Sequence, residues 1–534
     1  MQAFHLDMKV LQFRADSLEA LFPRLRDAGY DTIIFEIENK VRLECLGAAV
    51  WCEAYEKNAF ARLLDRCREA GLQPVPLIQT YAHLQWLLTH APFHALREQP
   101  SIAYTLCPLK AESRTFLFRY LSEVVELFGN PHHIHLGGDE AAYMGTCPAC
   151  KEVVDSIGKG GLYAQHMGRI ATQALDLGSR PMIWADMVLA HPECLSQFPH
   201  EVIWVDWHYE MVPEGPAKTY LWGETGPQTP DTVSDTFRKT HARHAFSSAK
   251  DRFRPWFYAD YLLDQGFDVL IASAASCGGD HPFLPSLNRA ANVASACLKV
   301  REEPRLLGHL VTSWAMRLPP LETQWPLFHL PAILRSSPQP AEWKIALQQA
   351  CDKTFGLPVP EFAKHWDKLG KSFPLAESAS AFDWESGYVG QPPPVPLWFA
   401  RRRHGHTLDL PKEIEDMNSL LTEYTRHAAL LAPRLAEVAD SNTPARLWLL
   451  GIEAIQLRAK EYMIYLQAEN GNVDGPEAGT ILRATESLAD RWRTTMLEMF
   501  LPAGVECVHS ILYGESRRLL SHISWGRYEK LSLA

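Results

Sequence analysis

The sequence predicts an α/β fold: a (β/α)8 TIM barrel over residues 1–338, followed by an α-helical C-terminal domain over residues 339–534. Three observations lead there. Short apolar, β-branched runs alternate with longer amphipathic segments eight times before the pattern stops. Acids and aromatics gather just past the ends of those runs, the face on which such a barrel carries its chemistry. Beyond Pro340 the alternation gives way to long helical periodicity. A doubly wound sheet would also alternate, but eight strands over this span favour closure.

Taken in order, the first strand is expected over residues 4–8 and its helix over 17–28. A second strand follows at 31–38, a helix at 60–70, a third strand at 74–79 and a helix at 113–128. The fourth strand, 134–136, runs into Gly137-Gly138-Asp139-Glu140. Tyr163, Met167, Ile170, Ala174 and Leu177 then recur at helical spacing. Strands five to eight are expected at 181–186, 202–207, 268–273 and 306–314, with a long mixed segment at 209–266. After the barrel, helices are expected at 342–355 and 360–369. A proline-rich break, Gln391-Pro-Pro-Pro-Val-Pro396, precedes three longer ones at 412–431, 444–469 and 476–500. Thr443 before Pro444 reads as an N-cap followed by proline at the first helical position. This region reads as scaffolding or a dimerisation surface rather than a second active centre.

Composition bounds the function. Of 534 residues, 47% are hydrophobic and 22% charged, an ordinary globular profile with material for sizeable cores. The net charge is −11, and the densest basic run is Arg401-Arg402-Arg403, too short for a nucleic-acid surface. No apolar run reaches membrane-spanning length. Residues 1–7 carry no basic stretch followed by an apolar core, and the first strand begins at once, so neither a leader nor a preceding domain is expected. Eleven scattered cysteines, an odd number, suit a reducing compartment, and the expected location is cytoplasmic.

The most informative stretch is His132-His-Ile-His-Leu-Gly-Gly-Asp-Glu140. Two adjacent carboxylates at one strand end repel each other, and keeping both is costly unless each has separate work. The glycines let the backbone turn and let another group approach it closely. An acidic loop after a buried strand is the plain alternative for an isolated Asp-Glu pair. Preceded by His-x-Gly-Gly, the pair resembles the signature of glycoside hydrolase family 20, the β-N-acetylhexosaminidases. Phe4-His-Leu-Asp-Met-Lys9, Glu36-Ile-Glu38, Leu77 to Trp86, Cys107-Pro108 and Trp184-Ala-Asp186 resemble the compact hexosaminidase D type branch. Ala82 stands where that family usually has the glycine of a Gly-His pair, and His83 is kept.

The resemblance implies a retaining exo-enzyme that removes terminal β-linked GlcNAc or GalNAc. Most glycosidases flank the bond with two carboxylates; adjacent Asp139 and Glu140 cannot easily do so. Family 20 uses the substrate's own 2-acetamido carbonyl as nucleophile and passes through an oxazolinium ion. By that analogy Glu140 is the general acid, then the base for water, with its proton affinity raised by burial and by Asp139. Asp139 orients the acetamido N–H. A tyrosine should hold the acetamido oxygen, with Tyr209, Tyr258 and Tyr261 as candidates. Trp184, Trp207 and Trp314, ending strands five, six and eight, are candidate sugar-stacking surfaces; a core role is the equal alternative. His83, Glu38 and Glu322 complete the expected substrate-binding set. His133 and His135 share a strand face but have no acid at ligand spacing, so a structural role is preferred to a metal site. Cys147-Pro-Ala-Cys150 has zinc-type spacing, yet no second pair matches it, and free thiols are the expected state. No cofactor or metal is expected. The expected partner is an oligosaccharide or small molecule with a terminal 2-acetamido sugar, with no nucleic acid or membrane, and with room for a homodimer. Two alternatives remain: a catalytically inactive glycan-binding barrel and a metal-dependent barrel hydrolase.

Overall fold

The structure, a computed structural model, describes residues 1–277, 280, 282–314, 320–337, 342–370 and 409–526. Eight parallel strands close into a barrel: β1 (Gln2–Asp7), β2 (Thr32–Glu36), β3 (Gln73–Leu77), β4 (His133–His135), β5 (Arg180–Trp184), β6 (Ile203–Trp207), β7 (Asp268–Ser276) and β8 (Gly308–Ser313). Each strand neighbours the next in sequence, and β1 pairs with β8 from Gln2↔His309 to Leu6↔Ser313. The expected strands are all present, each shifted by a few residues at most.

Strand alternation sorts the side chains. Ala3, Ile34, Val75, Leu77, Met182, Ile203, Val205, Leu270 and Leu310 point inward and form a separate plug inside the barrel. Their neighbours Phe4, Leu6, Ile33, Phe35 and Trp204 face out against the helices, as parallel strands covered on both faces require. The same inward register, followed toward the C-terminal ends of the strands, delivers His5, Glu36, His135, Trp184, Trp207 and Trp314. The fold places these residues at one mouth. The long β6–β7 connection holds a small hairpin, Thr219–Tyr220 against Pro227–Gln228, and helices Asp235–Ala245 and Phe257–Asp264.

Helices Trp343–Phe355, Phe362–Gly370, Leu410–Ala436, Thr443–Glu469 and Gly475–Leu497 follow the periodicity read from the sequence. A further helix, Pro502–Ser524, was not expected. Its two glycines weaken the local preference, and packing along Gly475–Leu497 decides it. Gly504 lets it lie against the backbone of Val10 and Leu11, where a Cβ would come within 3.2 Å of the Leu11 Cα. The N-cap of Thr443–Glu469 is Asn442 rather than Thr443, because the Asn442 carboxamide reaches the Ala445 N–H at 2.8 Å. The expected domain boundary at 338/339 and the proline-rich break lie outside the described residues.

The C-terminal helices dock on the loops that follow β1, β7 and β8. Arg14 N–H donates to Met499 O (2.9 Å) and Leu501 N–H to Gln12 O (2.7 Å). Trp366 and Trp448 donate their indole N–H groups to Pro285 O (2.6 Å) and Thr323 O (2.9 Å). One continuous apolar core runs through both parts. The helices thus flank the face where the strands end. Among the described residues no helix is long and apolar enough to cross a membrane.

Candidate active site

The tip of β4 is built by two glycines that no other residue could replace. Gly137 has φ +65°, and a Cβ there would strike the Gln79 side chain and lie 3.2 Å from its Cα. Gly138 has φ +91°, with Met167 Cε at 2.7 Å and the Tyr163 hydroxyl at 2.9 Å from a built Cβ. The turn is locked by Gly137 N–H donating to His135 Nδ1 (3.0 Å) and Tyr163 OH donating to Gly138 O (3.0 Å). Past the glycines Asp139 turns in and Glu140 turns out. Asp139 is 6% exposed, whereas the Glu140 side chain is 52% exposed. The burial expected to surround Glu140 is therefore absent: its backbone takes a left-handed φ of 47°, with the amide tied to Asp186 Oδ2 at 2.9 Å.

His83 joins the two acids. Its Nε2 lies 3.3 Å from Asp139 Oδ2 and 3.4 Å from Glu140 Oε2, and the Tyr104 hydroxyl approaches the same nitrogen at 3.2 Å. Burial, the largest influence, works against the charged ring, but the Asp139 and Glu140 carboxylates outweigh it and raise His83 to about 10. His83 is thus an imidazolium at neutral pH. Like Glu140 and Glu38, it sits at positive φ (55°), so three non-glycine residues of this mouth hold strained backbones.

Behind Asp139 lies a residue that the sequence reading passed over. Asp186, just past β5, accepts from Glu140 N–H on one oxygen and from the Trp207 indole at 3.3 Å on the other. Burial first, and the Asp139 charge second, raise its proton affinity. The motif Trp184-Ala-Asp186 had drawn notice only as a resemblance; an acid at a strand end was the signal available.

The aromatic residues divide. Trp207, Tyr209 and Trp314 are partly exposed and mutually connected: the Trp314 indole donates to the Tyr209 hydroxyl at 3.0 Å, and the Trp207 and Tyr209 rings lie 5.1 Å apart. Burial raises the proton affinity of Tyr209 and the Asp139 charge adds to it, while the Thr312 and Trp314 hydrogen bonds pull the other way. Trp184 is closed off at 1% exposure, packed between His135 and Trp314 as the floor of the mouth. Tyr258 is elsewhere. It is buried on helix Phe257–Asp264 among Phe237 and His241, and its hydroxyl accepts from Trp222 N–H. Tyr261, on the same helix, packs on His241.

Glu322 is not brought to the acids either: both its oxygens are taken by Arg24, at 2.9 and 2.6 Å, on the outer helix Ala15–Asp27. Glu38 does reach the mouth, within a buried charged group that sequence reading did not assemble. Lys9 Nζ lies 2.6 Å from Glu36, 3.6 Å from Asp7 and 3.9 Å from Glu38, and 5.0 Å from the Trp314 ring centre. Burial raises Glu38 well above the usual carboxylate range against the pull of Lys9. Glu36 goes the other way: Lys9 and His5 outweigh burial and keep it ionised. The opening segment 4–9 and the Glu36-Ile-Glu38 alternation held the signal for this group, but only the parallel pairing of β1 with β2 brings them together.

The histidines of β4 do not converge. His133 stacks on His132 at 4.4 Å, while His135 is buried under Trp184 with Nδ1 already accepting from Gly137.

Comparison with known proteins follows this geometry. A sequence model of the glycosyl hydrolase family 20 catalytic domain matches residues 38–219, the span that contains His83, Asp139, Glu140, Asp186, Trp207 and Tyr209. That span is similar to the glycoside hydrolase family 20 catalytic domain. The chain is similar to human hexosaminidase D, 30% identical over 219 residues, which is 39% of this chain and 45% of that protein. Bovine hexosaminidase D is 29% identical over 220 residues, 39% of this chain and 63% of that protein. The chain thus spans about half the length of the curated relatives it matches. Among solved structures, a Flavobacterium johnsoniae chitobiase superposes with TM-score 0.49 at 13% identity, over 97% of this chain and 77% of that one. A Bacteroides fragilis β-N-acetylhexosaminidase gives TM-score 0.44 at 14% identity, over 61% and 65%. The family-model match leaves out Tyr258, Trp314 and Glu322.

Proposed function

We propose that this chain is a family 20 glycoside hydrolase, a retaining exo-β-N-acetylhexosaminidase that removes a terminal β-linked 2-acetamido sugar with help from the substrate's own acetamido group. The observation that carries this reading is the split of two adjacent acids, Asp139 buried and Glu140 open, across one imidazolium. Two carboxylates joined through one strand tip cannot take opposite faces of a glycosidic bond, but they can serve two atoms of one substrate.

In the proposed reaction Glu140 gives its proton to the leaving oxygen as the acetamido oxygen attacks the anomeric carbon. The oxazolinium ion formed has its positive nitrogen beside Asp139. Glu140, now a carboxylate, takes a proton from water as that water opens the ring with retention. His83 holds both acids in place and balances their charge. Tyr209 is the tyrosine we assign to the acetamido oxygen, supported by its position beside Trp314 and within the field of Asp139. Trp207 and Trp314 offer partly open indole faces to the sugar. Trp184 closes the floor, and Glu38, buried beside Lys9, is assigned to sugar hydroxyls. A cytoplasmic location is supported by eleven cysteines, none joined in a disulfide.

Glu140→Gln tests the assignment. It should lower turnover of an aryl N-acetylglucosaminide by about 10³-fold or more, with unchanged circular dichroism. Near-wild-type turnover in that variant removes Glu140 from the chemistry. Equal rates on aryl glucosides lacking the acetamido group would defeat the substrate-assisted route. Sugar binding without turnover in the wild type would favour the glycan-binding alternative.

A further inference from the structure

Behind the catalytic loop lies a buried group that the proposed chemistry does not use. Cys147 and Cys150, the pair with zinc-type spacing, are joined in space by Cys107 and Glu98, from the long connection after β3. The four ligand atoms all lie within 4.8 Å of one another, and Glu98, Cys107 and Cys150 are buried. Cys107 Sγ is 3.8 Å from Cys147 Sγ and 3.5 Å from Cys150 Sγ, and Cys150 Sγ is 3.3 Å from Glu98 Oε2.

These separations match a tetrahedral ion. With zinc–sulfur bonds of about 2.3 Å and a zinc–oxygen bond of about 2.0 Å, ligand sulfurs stand about 3.8 Å apart, and a sulfur and an oxygen about 3.5 Å. A disulfide would need about 2.05 Å between sulfurs, and all three thiols are free.

The surroundings are those of a metal centre. Backbone amides are aimed at the sulfurs: Leu109 and Lys110 toward Cys107, and Cys150 toward Cys147 at 3.5 Å. Cys147 is the N-cap of helix Pro148–Asp176 and Cys150 lies in its first turn, where the helix dipole favours negative sulfur. Glu98 is 1% exposed. Its Oε1 accepts from Thr146 N–H (2.8 Å) and Cys147 N–H (3.0 Å), which aims Oε2 at the thiols. A buried carboxylate turned toward three buried or half-buried thiols has no apolar rationale, because each polar group costs free energy to desolvate; a divalent cation supplies the missing counter-charge.

We propose that Glu98, Cys107, Cys147 and Cys150 form a structural zinc site. Each thiol releases its proton as it binds. Four protein ligands fill a tetrahedral shell and leave no open position, so the ion is a staple rather than a catalyst. What it staples is specific. Cys107 follows Tyr104, which contacts His83, and Cys147 follows Glu140 on the β4 loop. The ion thus ties together the two loops whose residues meet at the active-site imidazolium. Carboxylate and thiolate donors in a tetrahedral set select zinc over magnesium or calcium, which take oxygen shells.

The test is metal analysis of the whole chain, purified under reducing conditions from zinc-supplemented medium. We expect about one zinc ion per chain, with X-ray absorption giving three sulfurs at about 2.3 Å and one oxygen at about 2.0 Å. Cobalt substitution should produce thiolate-to-metal charge-transfer absorption. Cys107→Ser and Cys150→Ser should each weaken zinc binding at least about a hundredfold by chelator competition, whereas Cys507→Ser should leave it unchanged. Zinc-free wild-type protein that takes up no zinc from a micromolar solution overturns the proposal. So does an intact mass two hydrogens short with a Cys107 disulfide, or stoichiometric zinc retained in a Cys107→Ser/Cys150→Ser double variant. These readouts do not depend on glycosidase activity, so the site and the proposed reaction can fail separately.

Discussion

Replacing His83 by Gln should change how stability depends on pH. The ring nitrogen lies 3.3 and 3.4 Å from two carboxylates. At an effective dielectric of 20, one such contact is worth about 5 kcal/mol before desolvation. Burial of the ring subtracts from that and the second carboxylate adds to it. A histidine raised from its unfolded value of about 6.5 to about 10 gives a similar total, roughly 5 kcal/mol at 1.36 kcal/mol per tenfold change in proton affinity. The sign follows from the direction of the shift. A raised folded-state value means that the contribution is complete below about pH 6.5 and disappears as pH climbs through about 10. Urea unfolding of wild type and His83→Gln, followed by tryptophan fluorescence from pH 6 to 10, reads this difference directly. Other titrating groups, among them buried tyrosines and cysteines, contribute to both curves and largely cancel. The variant should be less stable by about 3–5 kcal/mol at pH 6 and by under about 1 kcal/mol at pH 10. Parallel curves, with the same gap at both ends, would mean that His83 carries no charge and does not bridge the acids.

Three further outcomes follow from the geometry. Tyr209→Phe should cut kcat/KM on an aryl N-acetylglucosaminide about 10- to 100-fold, a loss of roughly 1.4–2.8 kcal/mol; an unaffected rate would return the acetamido contact to another residue. Glu322→Gln, which breaks the partly exposed pair with Arg24, should lower stability by about 1–2 kcal/mol and leave KM unchanged, and a raised KM would put Glu322 back in the sugar site. Trp448→Ala empties a fully buried site packed on Phe355, Phe362 and Trp366 and bonded to Thr323 O. It should cost about 3–5 kcal/mol in a single cooperative transition; independent melting of a barrel and a helical part would show that the shared core does not couple them.

Much of this architecture was legible in the chain because it rests on local periodicity. Eight β-branched runs and the helical repeats around them marked the barrel, and Gly137-Gly138 before two acids marked its working end. Boundaries drifted where ladder pairing, not composition, ends a strand, as at β2, which stops at Glu36 before Glu38 turns into a left-handed conformation. Helix Pro502–Ser524 escaped notice because its glycines are repaid by close packing rather than by propensity.

Side-chain destination was a different matter. Tyr258 and Glu322 had the right chemistry near the right strands, yet one faces the β6–β7 helices and the other an outer arginine. Asp186, Lys9 and the Glu98–Cys107 half of the thiol group carried little local signal, since each acquires meaning only from a partner far along the chain. The sequence by itself determined the barrel, its active end and the adjacency of Asp139 and Glu140, because periodicity and turn chemistry act over a few residues. Only the tertiary structure decided that one acid is buried and the other open, that His83 bridges them, and that three sulfurs and a carboxylate meet behind them. Burial, charge and coordination depend on distances in space, and those exist only once the strands have closed.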